Sequence, residues 1–155
     1  MALKGDRLVT TEEIRFFSSG LIEKGQLVVL GTGTSGSGNF LDQAEAYVHV
    51  AAASGRVIIG MSTTDVVNLD LTRQHINYYK DEVQTGSKVT IAQKGWLVTN
   101  KVTGTPAAGN VAYADTGTAG NVTASYVATG TTPVVGRFLS SKDEDGYATV
   151  YLNLP

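Results

Sequence analysis

The stretch LVVLGTGTSGSG, residues 27–38, carries the spacing Gly31-x-Gly33-x-x-Gly36 behind an apolar run. Such a spacing could cradle a dinucleotide pyrophosphate, because glycines let backbone N–H groups approach a phosphate at a helix N-terminus. That chemistry demands a helix opening on the third glycine and an acid about 20 residues on for the ribose. Here Ser37-Gly38-Asn39 follows, and glycine and asparagine are poor helix residues. Glu45 comes too early for the ribose and Asp65 too late. There is no βαβ alternation and no GK[ST] phosphate loop. The run is expected to be a loop between two antiparallel strands, and no cofactor is expected.

The remaining reactive residues are few. His49 alternates with Val48 and Val50, and His75 lies in LTRQHINYYKDE. Neither has the HExxH spacing of a zinc site, so no metal is expected. Asp143, Glu144 and Asp145 are consecutive, whereas acid/base work needs two carboxyls facing across a substrate. They read as a solvated turn, and the later ligands of a calcium loop are missing. With no cysteine in the chain, thiolate nucleophiles, disulfides and Cys-ligated zinc are excluded. No Gly-x-Ser-x-Gly elbow is present. Trp96, Tyr78 and Tyr79 could stack on a sugar or base. Trp96 alternates with Val98 and is expected in the core. Tyr78 and Tyr79, close to Arg73, suit a subunit contact, since tyrosine and arginine are enriched at interfaces. No catalytic constellation emerges, and the chain is expected not to be an enzyme.

The elements that must position these residues are strands. The 155 residues fit one domain. Net charge is −2, with 42% hydrophobic and 17% charged residues. That charge argues against direct nucleic-acid binding, and no run approaches a membrane span. No secretion signal is read at the start of the sequence. Period-two alternation recurs in AYVHVAAA, GSKVTIA, GNVAYA and NVTASYVA, while GRVIIGMS is a short continuous apolar run suited to a buried strand. GWLVTNKVT predicts a face of Trp96, Val98 and Val102 opposite Thr99 and Lys101. Asp145-Gly146 predicts a tight hairpin turn before a last strand, with Ala148, Val150, Leu152 and Leu154 on one face. Turn signals about every 8–12 residues predict an all-β fold, a small antiparallel barrel or sandwich.

Residues 1–24 read as an N-terminal arm and 25–155 as a single β-barrel domain. In the arm, Thr10-x-x-Glu13 fits a capping box and predicts a short helical turn. Leu8, Val9, Ile14, Phe16 and Phe17 are its apolar residues. They could clamp a neighbour or pack on the chain's own body, with one of the two phenylalanines docking on the body.

QTGSKVTIAQKGWLVTN, AAGNVAYADTGTAG and PVVGRFLSSKDEDGYATVYLNLP, with IRFFSSGLIEKGQLVVLG and VAAASGRVIIGMS before them, resemble in order and pattern the small β-barrel cement, or capsid decoration, proteins of tailed bacteriophages. The resemblance covers most of residues 14–155 and rests on turn-and-strand patterns. It implies a non-enzymatic protein, made in the host cytoplasm, on the outer surface of the virion capsid. It implies partners too: the major capsid protein and copies of itself, as a homotrimer or a dimer. Two other readings remain open, a glycan- or surface-binding virion module and a tail-tube or connector subunit.

Overall fold

The computed structural model describes residues 3–14, 16–31, 45–48, 57–68, 82–126 and 132–154. Every regular element among them is a strand: β1 (Leu3–Glu13), β2 (Phe17–Ser18), β3 (Leu27–Leu30), β4 (Glu45–Val48), β5 (Ile58–Ser62), β6 (Asp65–Val67), β7 (Glu82–Gln84), β8 (Ile91–Thr99), β9 (Val102–Thr103), β10 (Val111–Ala114), β11 (Val122–Thr123), β12 (Val134–Phe138) and β13 (Ala148–Asn153). The all-β class expected from the alternation is observed. One large sheet runs in the order β2-β4-β3-β5-β8-β13-β12-β10-β11-β9, with β1 joining on β8, and it curls into a half-barrel. Pairing is largely antiparallel. The short pairs β2·β4 and β9·β11 are parallel, as is the separate two-stranded sheet β6·β7.

The buried residues form two clusters, and the continuous apolar runs lie between them. Leu27 and Val29 of β3 enter the larger cluster while Val28 enters the smaller one, and all three are fully buried. In β8, Ile91 and Ala92 divide in the same way. A strand with cores on both faces needs apolar side chains at successive positions, which is why LVVL and VIIGM do not alternate. Each fully buried Leu, Val or Ile contributes about 1.5–3 kcal/mol relative to an exposed one.

The last hairpin forms as the sequence predicts. β12 and β13 pair antiparallel. Asp143 Oδ1 accepts from the backbone N–H groups of Asp145 and Tyr147. Gly146 takes φ of +82°, a conformation that costs a side-chain-bearing residue about 1–2 kcal/mol. Ala148, Val150, Leu152 and Leu154 are buried on one face. The acidic cluster is thus the hairpin's own turn.

Two expectations are corrected. Residues 10–13 form no helical turn: β1 is a strand of 11 residues that pairs antiparallel with β8 through Glu13. The Glu13 carboxylate accepts from the N–H of Ile14. β-Branched Val9, Thr10 and Thr11 favour the strand, and a ladder to an existing sheet outweighs a single cap. Trp96 is not on the core face either. Leu97 and Thr99 are buried, and Trp96 and Val98 point the other way, half-buried. Residues 95–99 carry apolar side chains on both parities, and β8 ends before β9 begins, so alternation cannot be carried from Val98 to Val102. Buried Thr99 is satisfied locally: its hydroxyl donates to the Gly25 carbonyl and accepts from the Lys101 N–H.

Candidate functional site

The residues that stand out chemically lie on the outer face of the curled sheet. Ladder register sets Leu8 of β1 beside Trp96 of β8, Trp96 beside Tyr151 of β13, Tyr151 beside Arg137 of β12, and Arg137 beside Val111 of β10. These side chains form one row across five strands, because directly opposed residues in a ladder point to the same face. Leu8 is 55% and Tyr151 42% exposed, Arg137 is exposed, and Trp96 is half-buried.

A groove of about 300 Å³ opens beside this row, lined by Val134, Gly136, Arg137, Leu139, Tyr151 and Asn153. Val134 and Leu139 are both about half exposed or more. Val134 turns outward because the β10·β12 register shifts between Ala112 and Tyr113, leaving Val135 buried next to it. Tyr113 lies opposite Val134 and packs on Tyr126, with ring centroids 5.6 Å apart and planes at 54°. The face therefore carries apolar and aromatic side chains together with the Arg137 guanidinium beside the most central tyrosine and, one pair along the ladder, exposed Asn153 opposite exposed Lys94. It holds no nucleophile–base pair. It can bury rings and aliphatic groups and give an arginine fork to a carboxylate or carbonyl, which is the chemistry of protein–protein contacts.

The structure distributes the residues singled out from sequence as follows. Leu8 is on the outer face. Val9 turns inward and packs on the larger core. Ile14 is exposed just past β1. Phe16 is buried in the smaller core with Ile22, Val66 and Val89, and Phe17 is half-buried with Lys88 Nζ 5.8 Å from its ring centroid. One phenylalanine thus docks on the body as expected. Arg73, Tyr78 and Tyr79 lie outside the described residues, as do both histidines and the glycine run beyond Gly31. β3 and β4, which flank that run, are antiparallel partners; a dinucleotide fold joins parallel strands there.

Sequence reading missed Tyr151, Arg137, Leu139 and Val134. Tyr151 was legible as an off-core residue of the last strand. Its place beside Trp96 and Leu8 depends on pairings between strands far apart in sequence.

Three buried polar atoms have no hydrogen-bond partner among the described residues: Thr64 Oγ1, Asp115 Oδ2 and Thr132 Oγ1. The other oxygen of Asp115, Oδ1, accepts from the Gly117 N–H. The Ala114 N–H donates to the Pro133 carbonyl. Among the described residues no group of three His, Cys, Asp or Glu side chains is placed to hold a metal ion.

A scan against protein-family models finds no match to this chain, and no curated protein matches it in sequence.

Proposed function

We propose that this chain is a structural, non-enzymatic subunit that binds other protein surfaces through the outer face of its sheet, as a head-decoration protein of a tailed phage. In this reading it sits on the outer surface of the expanded capsid as a symmetric oligomer and braces neighbouring major capsid subunits. The observation that carries the proposal is the row Leu8–Trp96–Tyr151–Arg137, exposed except at half-buried Trp96, with the groove beside it. Large, stiff aromatic side chains and arginine bury much contact area at low entropic cost. The resemblance of the strand-and-turn order to cement proteins supplies the partner class. Several weak contacts per oligomer, engaged at once, multiply in strength.

The test is to add purified protein to expanded empty shells. Binding is expected to saturate at a fixed symmetric stoichiometry and to raise the shell's melting temperature. Tyr151→Ala with Arg137→Ala is expected to weaken binding at least about 100-fold, since buried interface anchors of these types carry about 2 kcal/mol or more each. Absence of binding by the folded wild-type protein would overturn the proposal.

The groove also favours a second reading, a glycan-binding virion module. An exposed tyrosine with an arginine and an asparagine beside it could stack on and hydrogen-bond a sugar. Binding on a glycan array that Tyr151→Ala abolishes would select this reading over the first.

A further inference from the structure

Two cations flank the groove. Arg137, one of its lining residues, is exposed between Tyr151 and Val111 in the outer row. Lys94, also exposed, stands opposite Asn153 of β13 and, on its other side, opposite Thr11 of β1. Every ladder partner of the two cations is thus uncharged. The next pair along, Val98 and Thr149, is uncharged as well. Glu12 of β1 pairs with Ala92 and stands outside these rows, and Asp143, Glu144 and Asp145 belong to the hairpin turn beyond Leu139. The chain as a whole carries a net charge of −2, so the positive balance of these rows runs against that of the molecule.

Any partner that covers the apolar row also covers the Arg137 head group, because Tyr151 and Val111 stand on its two sides. Arginine cannot shed its proton. A guanidinium taken out of water with no opposite charge beside it is strongly unfavourable. A partner's carbonyl accepts a hydrogen bond and leaves that charge unpaired. A carboxylate accepts two parallel N–H bonds from the planar fork and neutralises it.

We infer that the groove takes an acidic segment of a partner protein. An Asp or Glu carboxylate of the segment sits on Arg137, and the apolar side chain next to it in the partner's chain lies between Val134, Leu139 and Tyr151. The inference rests on the reading of this face as a protein-binding surface, and it names what the partner must carry. Lys94 stands at the rim, where a long flexible stem keeps the ammonium in water. A rim charge of this kind speeds encounter with an acidic surface more than it holds the complex. The same two cations turn away basic and purely apolar surfaces, so the face selects its partner as well as binding it.

Two short synthetic peptides test the inference, one with an aspartate between two leucines and both ends blocked, the other its twin with asparagine in place of the aspartate. Each is titrated into the full chain labelled with ¹⁵N and ¹³C. The Arg137 Nε–H and Tyr151 ring resonances are expected to move with the acidic peptide, which binds at least about tenfold more tightly than its twin. Arg137→Gln, folded by circular dichroism, keeps hydrogen-bonding groups and loses the charge, and is expected to erase the difference between the peptides. Arg137→Lys is expected to restore part of it. On expanded shells, Arg137→Gln is expected to weaken binding at least about tenfold, and Lys94→Gln to slow association at low salt only. Equal binding of the two peptides, or binding of neither at millimolar concentration, overturns the inference. Shells that bind the wild type and Arg137→Gln alike also overturn it and leave the capsid reading intact. Selectivity for the acidic peptide without shell binding overturns the capsid reading and upholds the acidic groove.

Discussion

A Cβ placed on Gly136 would lie 1.8 Å from the Tyr151 carbonyl oxygen and 2.9 Å from its carbon. The obstacle is backbone on a neighbouring strand, so nothing can swing aside. Gly136→Ala is expected to cost about 3 kcal/mol, the upper end for overpacking, read as a lowered urea midpoint at unchanged slope. It is also expected to distort the groove at its base, because the approach of β12 to β13 positions Arg137 and Tyr151. Asp115 makes the opposite case. Among the described residues its Oδ2 is buried without a partner, and an unsatisfied buried polar atom costs about 1–3 kcal/mol. Asp115→Asn keeps an oxygen to accept from Gly117 and removes a buried charge from an atom with no partner among the described residues. This variant is expected to be more stable by about 1 kcal/mol, with a higher thermal midpoint.

At the scale of the element, β13 separates stability from binding along one strand. Leu152 is fully buried while Tyr151 beside it is 42% exposed. Leu152→Ala is expected to cost about 2–5 kcal/mol. Tyr151→Ala is expected to cost under about 1 kcal/mol in unfolding yet remove partner binding. Denaturant curves and a binding assay on the two variants check the contrast. This strand was legible in the sequence because alternation, turn chemistry and a clean apolar face all agree in DEDGYATVYLNL. β5 was legible for a different reason, a short continuous apolar run of the kind a buried strand carries. Trp96 was not, because Gly95-Trp96-Leu97-Val98-Thr99 has hydrophobic side chains on both parities, and a shift of one residue exchanges the faces. The end of β1 misled because a local capping pattern competed with a ladder partner about 80 residues away, which no window of neighbours contains. The outer row was hidden for the same reason: Leu8, Trp96, Tyr151 and Arg137 become neighbours only once four strands are in register.

At the scale of the molecule, β3, β5 and the start of β8 separate two cores and belong to both. Neither core can be lost without uncovering a strand of the other. Val28→Ala, which opens the smaller cluster, and Leu27→Ala, which opens the larger, are each expected to lower a single shared unfolding midpoint instead of producing two transitions. Coincident tryptophan fluorescence and far-ultraviolet dichroism curves check this. β8 stands at the centre of the arrangement, with β1 along one edge and β5 followed by β13 along the other.

That position of β8 has a consequence for biosynthesis. β1 precedes it in the chain and β13 follows it, so a ribosome must deliver residues 148–153 before the central strand is flanked on both sides. Contacts so distant in sequence form slowly, and the growing polypeptide should stay open to protease until β13 has left the exit tunnel. Stalled nascent chains that end before residue 148 are expected to be digested, and chains released beyond residue 154 to resist.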